Sequence, residues 1–229
     1  MKKKLVVLSG AGVSAESGLK TFRDSDGLWM GYKIEEVATP RGFKKNPRLV
    51  LDFYNMRRRE VALAKPNRAH EMIAKLEEVF NVTVITQNID DLHERAGSSD
   101  VMHLHGEIFK MCSSLNKSDV QEIREDIRLG QLSADGSQLR PFIVWFEEAV
   151  PMIDEAIAVI EKADLFVLIG TSLQVYPAAG LMNFLQPGIP KFIIDKKIPP
   201  LTTADNVITI EKPATEGVVI LSSKLRELI

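Results

Sequence analysis

The sequence predicts an α/β protein, a Rossmann-like doubly wound parallel sheet carrying a smaller inserted module. Short apolar runs bounded by turn or polar residues suit strands buried on both faces. Amphipathic helical stretches alternate with those runs, which favours right-handed crossovers and a sheet covered on both sides. A glycine-rich turn directly follows the first run.

The first run covers residues 5–8 and ends at Ser9-Gly10. Lys2, Lys3 and Lys4 before it imitate a secretory signal, but such a signal needs about 7–15 consecutive apolar residues, and this run stops after four. Asn67 is a plausible N-cap, after which Ala69, Met72, Ile73, Leu76, Val79 and Phe80 recur on one helix face. The second run, 82–86, follows. Ile153, Ala156, Ile157 and Ile160 repeat the pattern ahead of the run at 165–169, and further runs lie at 191–194 and 207–210. Two stretches break the rhythm. Residues 24–65 carry no strand signal, only a loop and then a helix opened by Asn46 as cap and Pro47 at its first position. Residues 112–139 carry a capping-box pattern, Ser118 to Gln121, beside Val120, Ile123 and Ile127, which predicts an amphipathic helix.

Composition narrows the function. The chain has 229 residues, 45% apolar and 26% charged, which excludes collagen-like, coiled-coil and wholly disordered classes. Lys plus Arg number 29 against 31 Asp plus Glu, a net charge of −2, so no global basic field recruits nucleic acid. No apolar stretch approaches the length of about 18 residues that a membrane span requires. The single cysteine, Cys112, can form no internal disulfide, which fits a reducing, cytoplasmic compartment.

Gly10-Ala11-Gly12-Val13-Ser14-Ala15 matches the G-x-G-x-x-A dinucleotide fingerprint. Glycine lets the backbone turn tightly and approach a pyrophosphate, whose charge is met by free N–H groups at the following helix start. A tight structural turn would produce the same residues. The acidic residue expected after the next strand is missing, because 82–86 leads into Gln87-Asn88-Ile89-Asp90. A hydride-transferring dehydrogenase is therefore disfavoured.

Joined together, Gly10-Ala11-Gly12-Val13-Ser14-Ala15-Glu16-Ser17-Gly18, Thr21-Phe22-Arg23, Thr86-Gln87-Asn88-Ile89-Asp90, His105-Gly106-Glu107 and Gly170-Thr171-Ser172 occur in that order. This set resembles the sirtuin family of NAD-dependent protein-lysine deacylases, from Leu5 to about Ile210. It is most similar to the bacterial branch that includes deacylases of acidic acyl-lysines, which shares Ala38-Thr39-Pro40 and Phe53-Tyr54-x-x-Arg57. The resemblance implies a single catalytic unit of residues 1–229, with a Rossmann-like core at about 1–24, 66–111 and 139–229 and a module at about 25–65 and 112–138. It implies NAD as cofactor, acylated lysine in a protein or peptide as substrate, nicotinamide and O-acyl-ADP-ribose as products, and a monomer.

The resemblance also implies roles. His105 matches the base that acts on a ribose hydroxyl, and an imidazole titrating near pH 6.5 suits that task; the alternative is that His103 and His105 are merely same-face strand residues. Asn88 is the second catalytic candidate. Cofactor binding falls to Gly10, Ala11, Gly12, Ala15, Glu16, Gln87, Asn88, Asp90, Gly170, Thr171, Ser172 and Ala214, with Phe22 covering the reacting ribose and Arg23 meeting phosphate or ribose oxygens. Asp91, and one of Thr171 and Ser172, are alternatively helix caps. Asp195 stands where many sirtuins place an asparagine; a carboxylate accepts from both ribose hydroxyls and repels a 2′-phosphate, so NAD is expected over NADP.

Tyr54 and Arg57 lie one helical turn apart, forming a two-point receptor for a succinyl or malonyl carboxylate, and small Ala38 leaves room for the chain. Arg58 and Arg59 suggest the alternative of a cationic surface face. The peptide is expected to pair as an added strand with Val144-Trp145-Phe146. The family segment Val-x-Phe-Gly-Glu continues here as Glu147-Glu148, so either the two glutamates favour basic peptides or the groove is narrower. Most sirtuins hold a structural zinc with two Cys-x-x-Cys pairs. Cys112 alone, with His70, His93, His103 and His105 spread elsewhere, does not replace them, so no metal is expected and residues 118–132 are expected to substitute apolar packing. Two other classes remain: a catalytically silent NAD or ADP-ribose sensor, and a metal-dependent hydrolase built on His103, His105, Asp90 and His93. The hydrolase lacks further ligands on later strands.

Overall fold

An apolar run buried on both faces belongs in the interior of a parallel sheet, and β1 (Lys4–Ser9) is such a run, buried at every position from 5 to 9. The computed structural model describes residues 2–20, 28–173, 175–198 and 205–228. After β1 the chain forms α1 (Ala11–Ala15), a hairpin of β2 (Leu28–Trp29) and β3 (Tyr32–Lys33), and the helices α2 (Ile34–Val37), α3 (Pro40–Lys45), α4 (Pro47–Leu63) and α5 (Arg68–Lys75). It continues through β4 (Asn81–Thr86), α6 (Leu92–Arg95), β5 (Val101–His103), β6 (Gly106–Ser113), β7 (Val120–Glu122) and β8 (Leu139–Ile143). The last part holds α7 (Ile153–Ile160), β9 (Leu165–Ile169), a 3-10 helix at Ala178–Phe184, β10 (Lys191–Asp195), β11 (Val207–Glu211) and α8 (Ala214–Arg226).

The main sheet runs β11-β10-β9-β1-β4-β5 with every pair parallel. Ser9 at the end of β1 stands between Thr86 of β4 and Ile169 of β9. Strand order reverses at β1, and in open α/β sheets the crevice beyond such a reversal is where ligands bind. Alternate residues face alternate layers: Leu5, Val7, Val84 and Val167 pack with Ile73, Val218 and Leu221, whereas Val6, Leu8, Ile85 and Phe166 pack with Ile160 and Leu181. The predicted caps form, since Asn67 accepts from Ala69 N at 2.9 Å and Asn46 from Leu49 N at 3.1 Å. Val79, expected on the buried face, is exposed, because the helix tightens into a 3-10 turn at Leu76–Glu78 and its face rotates. No helix among the described residues is long and apolar enough to cross a membrane.

A second, antiparallel sheet of order β7-β6-β8 lies beside α4, and here the structure departs from expectation. The stretch read as strandless contains the β2–β3 hairpin, closed by Met30 and Gly31 with φ of 54° and 85°, the two-residue turn that suits a tight hairpin. β6 and β8 draw residues assigned to the Rossmann-like core into the small sheet. The predicted helix near Ser118 is absent. Val120–Glu122 pairs with β6 instead, Ser118 Oγ donates to Asn116 Oδ1 at 2.6 Å, and Val120 is exposed. Three apolar residues are too few to bury a helix face, while the open edge of β6 offers backbone partners. Ile127 alone is fully buried, against Leu51, Met111 and Leu139, so the module packs on α4 rather than on the main sheet.

Arg58 is no surface charge either. It is buried, donating from Nε to Ile108 O at 2.9 Å and from Nη1 to Asn55 Oδ1 at 2.8 Å and Glu125 O at 3.1 Å. Burial pulls its pKa down to about 10. Asn55 brackets Ile127 through both backbone groups, each at 2.9 Å. Polar ties to α4, added to apolar contact, hold this segment.

Candidate active site

The carboxyl ends of β1, β4 and β9 meet with almost no side chain between them. Gly10 N donates to Ile169 O at 3.1 Å and Gly12 N to Gly170 O at 2.8 Å. A Cβ on Gly12 would lie 2.8 Å from Gly170 Cα and O, and one on Gly10 would lie 2.6 Å from Thr171 Cβ, so this crossing requires glycine. From β4, Gln87 Nε2 donates to Thr171 Oγ1 at 3.1 Å, and Asn88 Nδ2 donates to Gly10 O at 3.1 Å and Ser14 Oγ at 3.0 Å. Asp90 Oδ1 accepts from Leu92 N at 3.2 Å and its carboxylate bonds the Ser14 hydroxyl; burial pushes its pKa up. Asp90 thus takes the capping bond to α6 expected of Asp91, whose side chain pairs with Arg95 at 2.9 Å. Thr171 closes a local turn by accepting from Leu173 N at 3.3 Å and caps no helix.

Beneath this edge lies a buried polar cluster. Ser9 Oγ donates to Thr86 Oγ1 at 2.9 Å, so its contact with His93 Nε2, also 2.9 Å, is one it accepts, which fixes the proton on Nε2. The His70 ring sits 4.9 Å from that of His93. Burial lowers both pKa values, that of His70 to about 4, so both rings are neutral.

His105 follows β5. Its Nδ1 meets Gln87 O at 3.0 Å, which places the proton on Nδ1 and leaves Nε2 as an acceptor for the cavity that the ring lines. Burial lowers its pKa, keeping the ring neutral near pH 7.

The other end of the cavity is built from large side chains. Tyr54 is fully buried; its hydroxyl accepts from Trp145 Nε1 at 3.0 Å, and burial raises its pKa. Arg57 has a side chain 6% exposed. Its Nη1 meets Glu60 Oε2 at 3.1 Å and Met30 Sδ at 3.5 Å, its Cζ lies 5.6 Å from the Trp29 ring centroid, and Nε has no hydrogen-bond partner among the described residues. Arg140 stacks on Trp145, 3.3 Å from the ring centroid, while pairing with Glu148 at 2.8 Å. Glu148, which also lines the cavity, binds Lys117 at 2.7 Å and Trp145 N at 2.9 Å, so much of its carboxylate is engaged within the protein. Glu147 has φ of 72°, where the family pattern has glycine, and pairs with Arg41. Val144 N donates to His105 O at 2.9 Å and Phe146 N to Ala38 O at 3.0 Å.

One cavity of about 470 Å³ joins both ends. Gly10, Ala11, Gly12, Gln87, Asn88, Asp90, His105, Gly170, Thr171, Ser172 and Asp195 line the first, and Ala38, Tyr54, Arg57, Val144, Trp145 and Phe146 the second. Ala15, Glu16 and Ala214 are not brought to it: Glu16 accepts from Thr215 N at 3.2 Å and Oγ1 at 2.5 Å, and Ala214 packs in the core. Phe22 and Arg23 lie outside the described residues. Ser14 and Trp29 also line the cavity and were not singled out; Ser14 stood within the glycine motif, whereas nothing in the sequence marked Trp29.

A sequence model described as Sir2 family matches residues 10–177. The chain belongs to the Sir2 family. A Bacteroides thetaiotaomicron protein named NAD-dependent protein deacylase is 53% identical over 229 residues, covering 97% of this chain and 98% of its own. A Helicobacter pylori protein of the same name is 52% identical over 226 residues, covering 99% of each. A solved Sir2 homologue in complex with ADP-ribose superposes with a TM-score of 0.90 at 39% identity, covering 99% of this chain and 93% of that one, and a Sir2 homologue–NAD complex gives 0.87 at 40%, covering 99% and 91%.

The Sir2 chain fits a dinucleotide on its own geometry. Gly10 and Gly12 line the cavity with bare backbone, and a Cβ on either would strike Gly170 or Thr171 and force the β1 and β9 ends apart. Asp195, ending β10 with Oδ1 on Lys197 N at 3.1 Å, lines the same cavity, where its other oxygen would suit ribose hydroxyls. No group of three or more His, Cys, Asp and Glu side chains among the described residues is arranged to hold a metal ion. His93 is taken by Ser9, and His103 by Asn88 O and Glu94.

Proposed function

We propose that this Sir2-family enzyme, an NAD-dependent protein deacylase, prefers lysines carrying an acidic acyl group such as succinyl or malonyl. The observation that carries the preference is a buried guanidinium and a buried phenol lining one cavity with His105. Because the Tyr54 oxygen already accepts from Trp145, its own proton is free to be donated, and the hydrogen bonds of Arg57 among the described residues all leave from Nη1. Two donors on buried side chains suit a carboxylate, and charged hydrogen bonds of this kind are worth about 1.5–3 kcal/mol each.

NAD, when bound, would supply an electrophilic ribose carbon and nicotinamide as its leaving group. His105 Nε2 accepts a proton from a ribose hydroxyl, held in that tautomer by the Gln87 carbonyl. Asn88 and Gln87 brace the glycine turn and the β9 end, and Trp145 and Phe146 line the far end of the cavity. The lone Cys112 is buried and free, which supports a reducing compartment such as the cytoplasm.

Succinyl-lysine, malonyl-lysine and acetyl-lysine peptides, followed by mass spectrometry with and without NAD, test the reading. Turnover only with NAD, and faster on the two acidic acyl groups, is expected. Equal or faster deacetylation overturns the preference, and turnover without NAD overturns the reaction.

A further inference from the structure

Two histidines two positions apart, His103 at the end of β5 and His105 just beyond it, grip successive carbonyls of one loop. His105 Nδ1 holds Gln87 O at 3.0 Å, and His103 Nδ1 holds Asn88 O at 2.9 Å. Their far nitrogens differ. That of His105 belongs to a ring lining the cavity, whereas His103 Nε2 lies 2.6 Å from Glu94 Oε1. Both partners of His103 are pure acceptors, a carbonyl and a carboxylate. A neutral imidazole has one N–H and would set its lone pair against the other oxygen; only the imidazolium satisfies both.

We propose that His103, as the imidazolium, is a positioning residue for deacylation: it clamps the Asn88 carbonyl to Glu94 of α6 and so holds the loop carrying Gln87, Asn88 and Asp90 against the glycine turn. This rests on the reading that the loop meets NAD. The groups facing His103 are Glu94 and His93 of α6, Asp90 in the loop, and Glu107 of β6, while Lys110 of β6 neighbours Glu94 and pairs with Glu107 at 2.6 Å. His93 stays neutral, leaving three carboxyl groups against one ammonium. Burial by itself lowers the His103 pKa, but the hydrogen bond and charge of Glu94, the Asn88 carbonyl and Glu107 raise it overall. Glu94 is held below the ordinary carboxylate range by the same contact, against the upward pull of its own burial.

The sign follows from linkage. A histidine with a raised pKa in the folded state contributes fully below its unfolded value and loses that contribution as pH rises through the folded value. The kcat/KM for NAD is therefore expected to show an acid limb below pH 6.5, set by His105, and an alkaline limb above it, set by His103.

The test is the pH profile of kcat/KM for NAD on a succinyl-lysine peptide, in the wild type, His103→Gln and Glu94→Gln. His103→Gln keeps one donor but cannot titrate; it is expected to lose on the order of tenfold at neutral pH, the worth of one charged hydrogen bond, and to abolish the alkaline limb while the acid limb stays. Glu94→Gln is expected to move the alkaline limb to lower pH. An unchanged alkaline limb in both variants overturns the proposal. Should either variant fail to fold, NMR titration of the His103 ring in the wild type decides: a midpoint above 6.5 supports the clamp, and one at or below 6.5 overturns it. Absence of NAD-dependent turnover in the wild type would fault the deacylase reading instead, and the NMR titration separates the two failures.

Discussion

At one end of the cavity the walls are backbone. Gly12 N rests on Gly170 O, and a Cβ on Gly170 would sit 2.5 Å from Val13 N. At the other end the walls are side chains keyed into one another, Arg140 on Trp145, Trp145 on Tyr54, and Arg57 beside Trp29. The first is dictated by sheet geometry and accepts no added atom. The second is set by residue choice on α4 and the segment after β8, and can change its preference while the fold persists.

The sharpest break in that comparison is expected at the seam, where His105 serves both ends. His105→Ala should lower kcat on every acyl substrate by about 10²–10⁴-fold, the usual worth of a general base, with NAD binding by calorimetry largely retained. Gly12→Ala should cost about 100-fold in kcat/KM, as a displacement of about 1 Å at a reacting centre does, together with about 1–3 kcal/mol of stability from overpacking. Its losses should be equal on succinyl and acetyl peptides, and a selective loss would erase the division between the ends. Arg57→Met should instead be selective, slowing desuccinylation roughly tenfold or more while sparing deacetylation; parallel losses would mean that the guanidinium reads no carboxylate. The smallest effect is expected for Trp145→Phe, which keeps an aromatic ring but removes the N–H on Tyr54. A neutral hydrogen bond is worth about 1 kcal/mol, so desuccinylation should fall a few-fold, and the melting temperature should drop by a few degrees because the buried ring shrinks.

The two ends were also unequally legible in the sequence. The glycine end could be read because buried parallel strands leave uninterrupted apolar runs, and because Gly10 to Ser14 and Gln87 to Asp90 are contiguous motifs. Of the residues that do not line the cavity, Ala15 and Glu16 lie within the glycine motif and Ala214 follows β11 where the resemblance implies an adenine contact; the structure shows Glu16 drawn away to Thr215 of α8. On the α4 side, Tyr54 and Arg57 could be found from their one-turn spacing. Their surroundings could not, because the ties run between residues far apart in the chain: 54 with 145, 58 with 125, 117 with 148. The same blindness produced the false helix near Ser118. Local spacing of Val120, Ile123 and Ile127 suited a helix, and the competing partner, the edge of β6, is visible only once the sheet exists.

The contact between Gly12 and Gly170 also limits how a relative of this protein could diverge. Where two main chains already touch, even one added methyl must push the strand ends apart, so selection for a different nucleotide has to act on the strand tips that surround the crossing. Asp195 is the tip with the most freedom, half-buried at the mouth of β10 with one oxygen engaged only by its own turn. Drift in nucleotide choice should accordingly be recorded at that position long before it touches the glycines.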